Sequence, residues 1–510
     1  MAKIVFKKDK INQLTLLPPD LGSLVPENHL VRIVDKVINE IEISALFNTY
    51  KGGGTSSYHP RTMLKIITYA YIEKIYTTRR IEKALRENIN FMWISGMTTL
   101  DHGTIYNFKA KRLKQAVEDV FASVVEVLLT AGYVKAENLF IDGTKIEANA
   151  NRYSYVWRKN IEKNETRTKE RVKTLLSHID QLQKQEDKEY GDKNLEELEG
   201  NITSDQVKKL VEDINQKISK TPKSSGISKD ITKLKNELPK LKKYEEQKSA
   251  LKDRNSFSKT DKDATFFRMK EDHLGQCQLK PAYNVQIATE NQFILGYGIY
   301  QKAADTTLLI PTLNKLITQV KRKPKRIIAD AGYGCEENYE YIKKNNIGNY
   351  VKYNTFDIER TPKYKAKPFA QDKFEYDQKE DQYICPQSKI LTFVGIKEVK
   401  SETDYKSIRR VYKASYCSDC SVKKLCCKGE GDRTIEFNRK LIKFKEIVKK
   451  NLLSKKGIKL RSQRGVDVES VFGQIKHDNQ FRRFNSKGLL NVTTEWGLIS
   501  IAHNLKKMAN

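Results

Sequence analysis

Long hydrophobic stretches are missing from this chain of 510 residues. No uncharged apolar run approaches the roughly 20 residues that a membrane span needs, and the first ten residues, MAKIVFKKDK, are charged rather than forming an apolar leader. Cysteine is scarce: its seven residues, an odd number, argue against a secreted disulfide scaffold. We therefore expect a soluble intracellular protein with no membrane partner.

Two catalytic signals are also missing from the sequence. It contains no P-loop pattern, so we expect neither NTP hydrolysis nor a nucleotide cofactor. The seven histidines form no catalytic constellation; His102 and His477 lie near other motifs, where a lone histidine is more often a hydrogen-bonding neighbour. The chemistry must therefore be sought among the carboxylates and cysteines.

Positive charge is what the sequence has in excess. The chain carries 94 Lys and Arg against 64 Asp and Glu, a net charge of +30, and 38% of its residues are hydrophobic, enough for a sizeable core. Such a surplus is typical of nucleic-acid binding, although ribosomal or membrane-surface partners would give the same sum. The length exceeds that of one ordinary domain.

The charge is unevenly distributed along the chain. Residues 401–510 carry 25 positive and 11 negative side chains, a net +14, whereas residues 158–254 carry 24 and 19. The basic surplus is thus concentrated towards the C-terminus, and the densely charged middle is nearly neutral. We expect the C-terminal segment to provide the main contact with phosphates.

The charged middle predicts a long helical hairpin. Narrow apolar stripes at alternating spacings of four and three, flanked by charge, are typical of coiled coils. They are separated by a Pro/Gly/Ser break at 221–226, and Pro239 interrupts the second stripe. A solvated amphipathic insertion and a dimerisation or DNA-positioning arm both fit this pattern. The stripes comprise Leu175, Ile179, Leu182, Leu195, Leu198 and Ile202, then Ile227, Ile231, Leu234, Leu238 and Leu241.

The segment before residue 135 predicts an all-helical region. One helix is expected over Pro60–Tyr76 and a second, which Thr77 and Thr78 can cap, over Arg79–Asn88. Arg79 and Arg80 face outward on the second helix, opposite its apolar side. The pair suits a helix-turn-helix DNA reader, and a plain helical bundle fits equally well. A third helix is expected over 105–129.

After Gly132 the periodicity changes to that of strands. Residues 138–142 form an apolar run that ends at Asp142 and is followed by Gly143, and residues 326–330 repeat this pattern with Asp330. A strand hairpin turning at Glu290–Asn291 and a helix over 306–320 lie between them. Acids at strand ends meet at the carboxyl edge of an α/β sheet, where such sheets hold their sites.

A third acid lies in the basic C-terminal segment. Glu469, Phe472 and Lys476 have the spacing of one helix face, and Arg464 precedes this helix. Two acids on strands and one on a helix suit Mg²⁺, or Mn²⁺, which prefers carboxylate oxygens and can activate a water or 3′-hydroxyl against a phosphodiester. Arg464 and Lys476 would neutralise phosphate charge.

Five of the seven cysteines fall between residues 385 and 427. Cys385 precedes a proline, Cys417 and Cys420 form a Cys-x2-Cys pair, and Cys426 is followed by Cys427. This is a zinc-ribbon-like pattern, with Cys385, Cys417, Cys420 and Cys426 as candidate ligands of a structural Zn²⁺. Reduced cysteines packed as small apolar residues are the alternative.

The motifs together resemble those of bacterial insertion-sequence DDE transposases. The nearest group is the insertion-sequence family numbered eleven-eighty-two, with the related four/five superfamily. Motifs that carry the resemblance are Ile141–Lys145, Ile328–Tyr333, Arg464, Val468–Ser470, Phe472–Gly473, Ile475–Lys476, Phe481–Phe484, Ser57–Pro60, Asp101–Ile105, Phe266–Lys270 and Ala303–Thr306. Arg464 stands five residues before Glu469, whereas related families place it closer.

The resemblance implies an α/β RNase H-like catalytic core, a mixed sheet with helices. It also implies that Asp142, Asp330 and Glu469 are catalytic metal ligands and that Arg464, Lys476, Arg482, Arg483, Arg79 and Arg80 bind DNA. The expected units are an N-terminal all-α DNA-binding domain (1–135), the core (136–155, 260–375 and 455–510), a charged helical-hairpin insertion (156–259) and a small Cys-rich insertion (376–440).

The implied function is DNA transposition: metal-dependent cleavage at the terminal inverted repeats of the element, then strand transfer into target DNA. An RNase H-fold nuclease without strand transfer and a non-catalytic DNA-binding regulator, or decayed copy, are the alternatives. The expected partners are double-stranded DNA and, in the complex that pairs two ends, a second copy of the chain. A bacterial, cytoplasmic and nucleoid-associated location follows.

Overall fold

The structure, a computed structural model, describes residues 20–50, 57–190, 203–218, 225–269, 277–427 and 429–509. Four of the expectations above fall outside these ranges. They concern the charged first ten residues, the apolar repeat at Leu195, Leu198 and Ile202, residues 221–224 of the Pro/Gly/Ser break, and Lys270.

Helices dominate the described residues. In chain order they are α1 (Leu21–Leu24), α2 (Leu30–Glu40), α3 (Ser44–Phe47), α4 (Pro60–Ile72), α5 (Thr78–Glu87), α6 (Ile89–Ser95), α7 (His102–Asn107), α8 (Lys114–Thr130), α9 (Arg158–Tyr190), α10 (Ser204–Ile218), α11 (Ser225–Leu251), α12 (Leu309–Val320), α13 (Glu336–Lys344), α14 (Pro362–Lys365), α15 (Lys423–Cys426), α16 (Arg439–Leu453), α17 (Lys455–Arg464), α18 (Ser470–Gly473) and α19 (Leu489–Met508). Within these residues no helix is long and apolar enough to cross a membrane.

The strands of the described residues form three sheets. In chain order they are β1 (Asn138–Glu147), β2 (Tyr155–Trp157), β3 (Ser256–Ser258), β4 (Thr265–Arg268), β5 (Leu279–Glu290), β6 (Phe293–Tyr300), β7 (Arg326–Ala329), β8 (Gly348–Val351), β9 (Glu375–Asp377), β10 (Gln382–Ile384), β11 (Ile390–Lys400), β12 (Lys406–Ala414) and β13 (Thr434–Phe437).

The main sheet is mixed, and β1 lies at its centre. β5 pairs antiparallel with β1 on one side, and β4 and β6 pair antiparallel with the other edge of β5. On its opposite side β1 pairs parallel with β7, which pairs parallel with β8. The change from antiparallel to parallel pairing at β1 places the carboxyl end of β7 beside the middle of β1.

The hairpin between β5 and β6 turns one residue later than expected. Asn291 and Gln292 both have positive φ, 54° and 64°, as a two-residue hairpin turn of the favoured hand requires. Glu290 remains in β5. Its carboxylate accepts hydrogen bonds from the backbone N–H groups of residues 135–138, at 2.6–2.9 Å, and so joins the start of β1 to the hairpin.

One hydrophobic core unites the sheet with the N-terminal helices. Helix α19 lies at its centre: it is buried on every side between Val492 and Leu505 and contacts β6, α4 and α8. The expected boundary near residue 135 therefore separates elements that share a core.

The N-terminal helices follow the predicted order with small differences at their ends. α4 stops at Ile72 rather than Tyr76, because the chain turns at Lys74, whose φ of 61° is left-handed. Thr77 is the N-cap residue of α5, but its side chain makes no capping hydrogen bond. The third predicted helix is interrupted, since a π-helical segment, Phe108–Leu113, joins α7 to α8.

Three helices form the described part of the charged middle of the chain. α11 packs against α9 and α10 around a separate small core that includes Val172, Ile179 and Leu234. The expected interruption at Pro239 is wrong, because α11 is continuous through it. Pro239 lies on the exposed side of the helix, where water can pair with the carbonyl group that loses its N–H partner.

A five-stranded antiparallel sheet precedes α16. Its strand order is β13–β12–β11–β10–β9, and its core is small, built on Phe374, Tyr383, Leu391, Tyr412 and Ile435. Part of the remaining apolar surface of β11 and β12 is exposed to solvent. This sheet contacts α13 through the β11–β12 turn, where the Tyr405 hydroxyl donates to Glu340 at 2.5 Å.

Candidate active site

Asp142 lies on β1, at the level where β7 ends. The expected break in the strand after Asp142 is wrong, because β1 runs without interruption from Asn138 to Glu147. Parallel pairing of Ile141 with Ala329 places Asp142 in register with Asp330. The two acids are therefore neighbours at the carboxyl end of β7, and 18% of the Asp142 side chain is exposed.

Asp330 is the residue that follows β7, as expected. Its carboxylate accepts a hydrogen bond of 2.9 Å from the Gly332 backbone N–H, and this bond caps the short turn Ala331–Tyr333. The turn directs the chain away from the sheet at this point. About half of the Asp330 side chain remains exposed, so the group is open to a ligand.

Glu469 reaches the same edge of the sheet from a helical segment. The single helix expected over 466–476 is wrong in detail, since two π-helical segments, Gly465–Glu469 and Gln474–Asp478, flank the one turn of α18. Such π segments often occur at functional sites. The first of them contacts β1 and β5, which brings Glu469 towards Asp142.

Asp467 anchors this segment to the sheet. Its carboxylate accepts hydrogen bonds from the Gln292 backbone N–H at 2.6 Å and from the Gln463 side chain at 3.1 Å. Burial raises the pKa of Asp467. Only 2% of the residue is exposed, so Asp467 holds Glu469 in place while its own carboxylate points elsewhere.

The guanidinium group of Arg464 joins the three acids. Its Nη1 donates to Oε1 of Glu469 at 2.6 Å, and its Nη2 lies 3.2 Å from Oδ1 of Asp142 and 3.8 Å from Oδ2 of Asp330. Only 14% of the Arg464 side chain is exposed, and its Nε is buried without a hydrogen-bond partner. Arg464 is the last residue of α17, which fixes its position beside β7 and β8.

Burial and charge act in opposite directions on Asp142. The net effect raises the pKa of this carboxyl group to about 6: burial raises it most, the Arg464 cation lowers it, and the neighbouring Asp330 raises it. A strongly shifted acid next to a charge partner at a sheet edge is typical of functional sites. The group is therefore poised to gain or lose charge near neutral pH.

A polar network that sequence reasoning missed lies beneath the acids. Gln286 donates to Asp305 at 2.9 Å and accepts a short hydrogen bond from the buried Tyr333 hydroxyl. Asn284 donates to the same Asp305 oxygen at 2.8 Å. The signal was present in the sequence, because Asn284 and Gln286 alternate with apolar residues on a strand that is buried on both faces.

Gly143 permits this network to approach β1. A β-carbon at Gly143 would collide with the side-chain amide of Gln286, its cross-strand partner. The Asp-Gly pair of the motif thus has a steric cause: glycine leaves the space that Gln286 fills. The Gln286 amide thus occupies the side-chain position of the residue that directly follows Asp142 on β1.

The predicted DNA-binding residues of the C-terminal segment have different surroundings. Lys476 is half-buried in the second π-helical segment. Arg482 is exposed, with Nη2 lying 3.1 Å from His477 Nδ1. Arg483 donates to the carbonyl groups of Ala148 and Ala150, each at 3.2 Å, and so also ties the segment to the chain after β1.

The two arginines of this segment are held outward by the aromatic residues on either side. Phe481 and Phe484 are buried against Trp496 of α19, with ring centroids 6.2 and 6.4 Å from it. Arg79 and Arg80 are likewise exposed at the start of α5, whose Ile81 and Leu85 are buried. Arg79 and Arg80 are not among the residues that pair with the three acids.

All seven cysteines are free thiols and lie in the described part of the chain. Five of them line one small cavity at the end of the second sheet, whereas Cys277 and Cys335 lie elsewhere. Within the described residues, no group of three or more His, Cys, Asp or Glu side chains is arranged to hold a metal ion as it stands. At the three acids, the position between them is taken by Arg464.

Two family models match the chain. Residues 384–509 match the transposase DDE domain, and residues 19–111 match a second transposase domain, DUF772. No curated protein and no solved structure matches the chain significantly. The resemblance to insertion-sequence DDE transposases is therefore confirmed, while family eleven-eighty-two stays a prediction. The matched residues include Arg464 and Glu469 but neither Asp142 nor Asp330.

Proposed function

We propose that this transposase cuts DNA at the terminal inverted repeats of its element and joins the cut ends to target DNA, with Asp142, Asp330 and Glu469 as its catalytic acids. One observation carries the proposal. Three acids from distant parts of the sequence meet around a single guanidinium group at the sheet edge. Convergence of this kind has no explanation in the packing of the core.

The sheet supports an RNase H-like core for this enzyme. Its strands β6, β5 and β1 are antiparallel neighbours, and β7 and β8 continue parallel to β1. We assign residues 136–155, 260–375 and 455–510 to this core. The N-terminal helices (1–135) then form the DNA-binding domain, and residues 156–259 and 376–440 form the helical and Cys-rich insertions.

The three acids suit a divalent cation in their chemistry. Carboxylate oxygens are the ligands that Mg²⁺ and Mn²⁺ prefer, and these carboxylates already surround a positive charge. Asp142, Asp330 and Glu469 would hold the ions, which supply Lewis-acid activation of the attacking oxygen and stabilise the leaving oxygen of the phosphodiester. Binding requires that Arg464 leave its present ion pairs.

Arg464 has a second partner available when DNA binds. A phosphate group accepts two parallel hydrogen bonds from a guanidinium, as a carboxylate does. We propose that Arg464 exchanges its contacts with the acids for a phosphate of the scissile strand. This exchange would free the carboxylates at the moment when the substrate arrives.

The basic segment beside Glu469 is the proposed DNA path. Lys476, Arg482 and Arg483 lie within 14 residues of this acid, and the exposed Arg79 and Arg80 add positive charge on α5. Phosphate contacts of this kind position DNA without reading its sequence. Pairing of two element ends calls for two copies of the chain, and a DNA substrate places the protein at the bacterial nucleoid.

The experiment uses labelled DNA that carries the element ends, a target plasmid and Mg²⁺, with the full-length protein and two variants. Asp330→Asn keeps the hydrogen bond from Gly332 but removes the charge, so we expect DNA binding without cleavage or joining. Asp404→Asn is the matched control, because Asp404 has a left-handed φ of 58° that asparagine tolerates, at an exposed turn.

The outcomes separate the alternatives. Cleavage without joined product would identify a hydrolytic nuclease, and binding without cleavage by the unaltered chain would identify a regulator. Cleavage by Asp330→Asn at the rate of the unaltered chain would refute the assignment of the acids.

A further inference from the structure

The cysteine-rich cavity lies at one end of the second sheet. Cys385 follows β10, and Cys417, Cys420, Cys426 and Cys427 belong to the connection between β12 and β13. In an antiparallel sheet these two connections emerge at the same end. The five thiols therefore meet there although 43 residues of chain separate the first from the last, counting both.

The cavity has room for one small ion. Its volume is about 20 Å³, and the atoms that line it are apolar apart from the sulfurs. A space of this size, just above one water molecule, holds water only when polar partners surround it. Soft thiol sulfurs are poor partners for water and strong ligands for Zn²⁺.

Backbone N–H groups point at two of the sulfurs. The N–H groups of Gln387 and Lys389 donate to the Cys385 Sγ at 3.3 and 3.2 Å, and the Arg433 N–H donates to the Cys417 Sγ at 3.5 Å. A neutral thiol is a weak acceptor. Donors directed at a sulfur are the outer contacts that orient a ligating thiolate and stabilise its charge.

The second sheet also needs a cross-link on physical grounds. Its core contains seven fully buried residues, while Val394, Ile396 and Ile408 of its long strands are more than half exposed. A unit of about 70 residues with so small a core is rarely stable without a metal, a disulfide or a partner. Its cysteines form no disulfide.

We propose that Cys385, Cys417, Cys420 and Cys426 bind one structural Zn²⁺ that closes this end of the second sheet. Cys385, Cys417 and Cys426 pack together at the edge of the small core, and Cys420 completes the Cys-x2-Cys pair. Four thiolates satisfy tetrahedral zinc. Cys420 and Cys427 both line the cavity outside this core contact; because Cys427 directly follows the ligand Cys426, we assign it as the fifth, non-ligating thiol. The sulfurs must draw together on binding, since no three of these described residues are at coordinating positions as they stand.

The test measures metal directly and does not depend on transposase activity. Full-length protein is purified without added chelator, and zinc is quantified by mass spectrometry. We expect one zinc per chain, released when an organomercurial binds the thiolate sulfurs and displaces the metal. Replacement by Co²⁺ should give the intense sulfur-to-cobalt absorption of a tetrahedral thiolate site.

Two adjacent cysteines provide the sharpest comparison. Cys426→Ser should lose the metal and the cobalt spectrum, whereas Cys427→Ser and the remote Cys277→Ser should retain both. A wild-type protein with substoichiometric zinc overturns the proposal even if a variant fails to fold. So does zinc retention by Cys426→Ser, or a disulfide between any of these cysteines in the purified protein.

Discussion

The guanidinium group of Arg464 donates a hydrogen bond of 2.6 Å to the carboxylate of Glu469, five residues further along the chain. The π-helical segment between the two residues sets this spacing and lets both side chains reach the sheet edge. The same guanidinium lies 3.2 Å from Asp142. One buried cation thus neutralises acids that would otherwise repel one another, and it occupies the position where a divalent ion would act.

Replacement of Arg464 should therefore separate metal binding from catalysis. Arg464→Gln removes the internal cation, so the affinity for Mn²⁺ in the absence of DNA should rise about tenfold, equivalent to about 1.4 kcal/mol. The rate of DNA cleavage should fall, because the phosphate of the scissile strand loses the guanidinium group that we propose as its partner. Titration of Mn²⁺ followed by electron paramagnetic resonance measures the affinity.

The control for this change is Arg482→Gln, an exposed arginine of the same segment that is remote from the acids. Its affinity for Mn²⁺ should stay that of the unaltered chain. The melting temperature supplies a second readout: Mn²⁺ should stabilise Arg464→Gln more than the unaltered protein, because the unpaired carboxylates repel one another. Unchanged Mn²⁺ affinity in Arg464→Gln would contradict competition between the two cations.

Gly143→Ala should damage the site through its neighbour. The new β-carbon displaces the Gln286 amide, which then loses its bonds to Asp305 and Tyr333. Misplacement of about 1 Å near reacting groups costs up to about 100-fold in rate, so we expect a 10- to 100-fold slower cleavage with DNA binding retained. Gly395→Ala is the matched control, since nothing lies within 4 Å of a β-carbon there; equal rates for the two variants would refute the role of Gln286.

The sequence predicted the meeting of three acids better than it predicted the backbone around them. The structure brings Asp142, Asp330 and Glu469 together around Arg464, and their catalytic role stays a prediction. The continuation of β1 past Asp142 was not predicted, since its cause lies in pairing with β5, whose partner residues, from Gln286 for Gly143 to Ala282 for Glu147, lie 135 to 143 positions later in the chain. Periodicity within β1 does not contain that information.

The position of Arg464 between the acids could not be predicted from the sequence either. Its basic character indicated phosphate binding, but the contact with all three acids depends on the π-helical segment Gly465–Glu469, which changes the angular spacing between Arg464 and Glu469. A hydrophobic pattern does not distinguish π-helical from α-helical turns, since Val468 in the π segment and Val471 in α18 are both buried. At Pro239 the sequence predicted a break that the structure lacks. Proline usually breaks a helix, but α11 tolerates it because Pro239 lies on the exposed side of the helix.

Glu340 should make the docking of the second sheet depend on pH. The Lys440 ammonium group, the Tyr405 hydroxyl and Lys344 lower the pKa of this carboxyl group to about 2. Because the folded pKa is below that of the unfolded chain, near 4.3, its stabilisation is complete above about pH 5 and is lost as the pH falls towards 2.

Glu340→Gln should accordingly lower the free energy of unfolding by about 1 kcal/mol at pH 7, a value that allows for screening at the surface. The difference from the unaltered protein should narrow as the pH falls from 5 to 3, which urea titrations at several pH values measure. Glu398→Gln, at an exposed ion pair of β11, should show almost no difference. If the difference in unfolding free energy between Glu340→Gln and the unaltered protein stayed constant from pH 5 to pH 3, the ion pair of Glu340 with Lys440 could not be its source.

The basic segment after Glu469 should dominate the salt dependence of DNA binding. Arg482 is exposed on the segment that follows Glu469, so Arg482→Gln should release about one counterion fewer and reduce the slope of log K against log salt by about 0.9. Lys235→Gln on α11 is the control, because that lysine is exposed within the nearly neutral helical segment. Its slope should equal that of the unaltered chain. Fluorescence anisotropy at four salt concentrations measures both slopes, and a smaller slope for Lys235→Gln than for Arg482→Gln would place the DNA path along the charged helices instead.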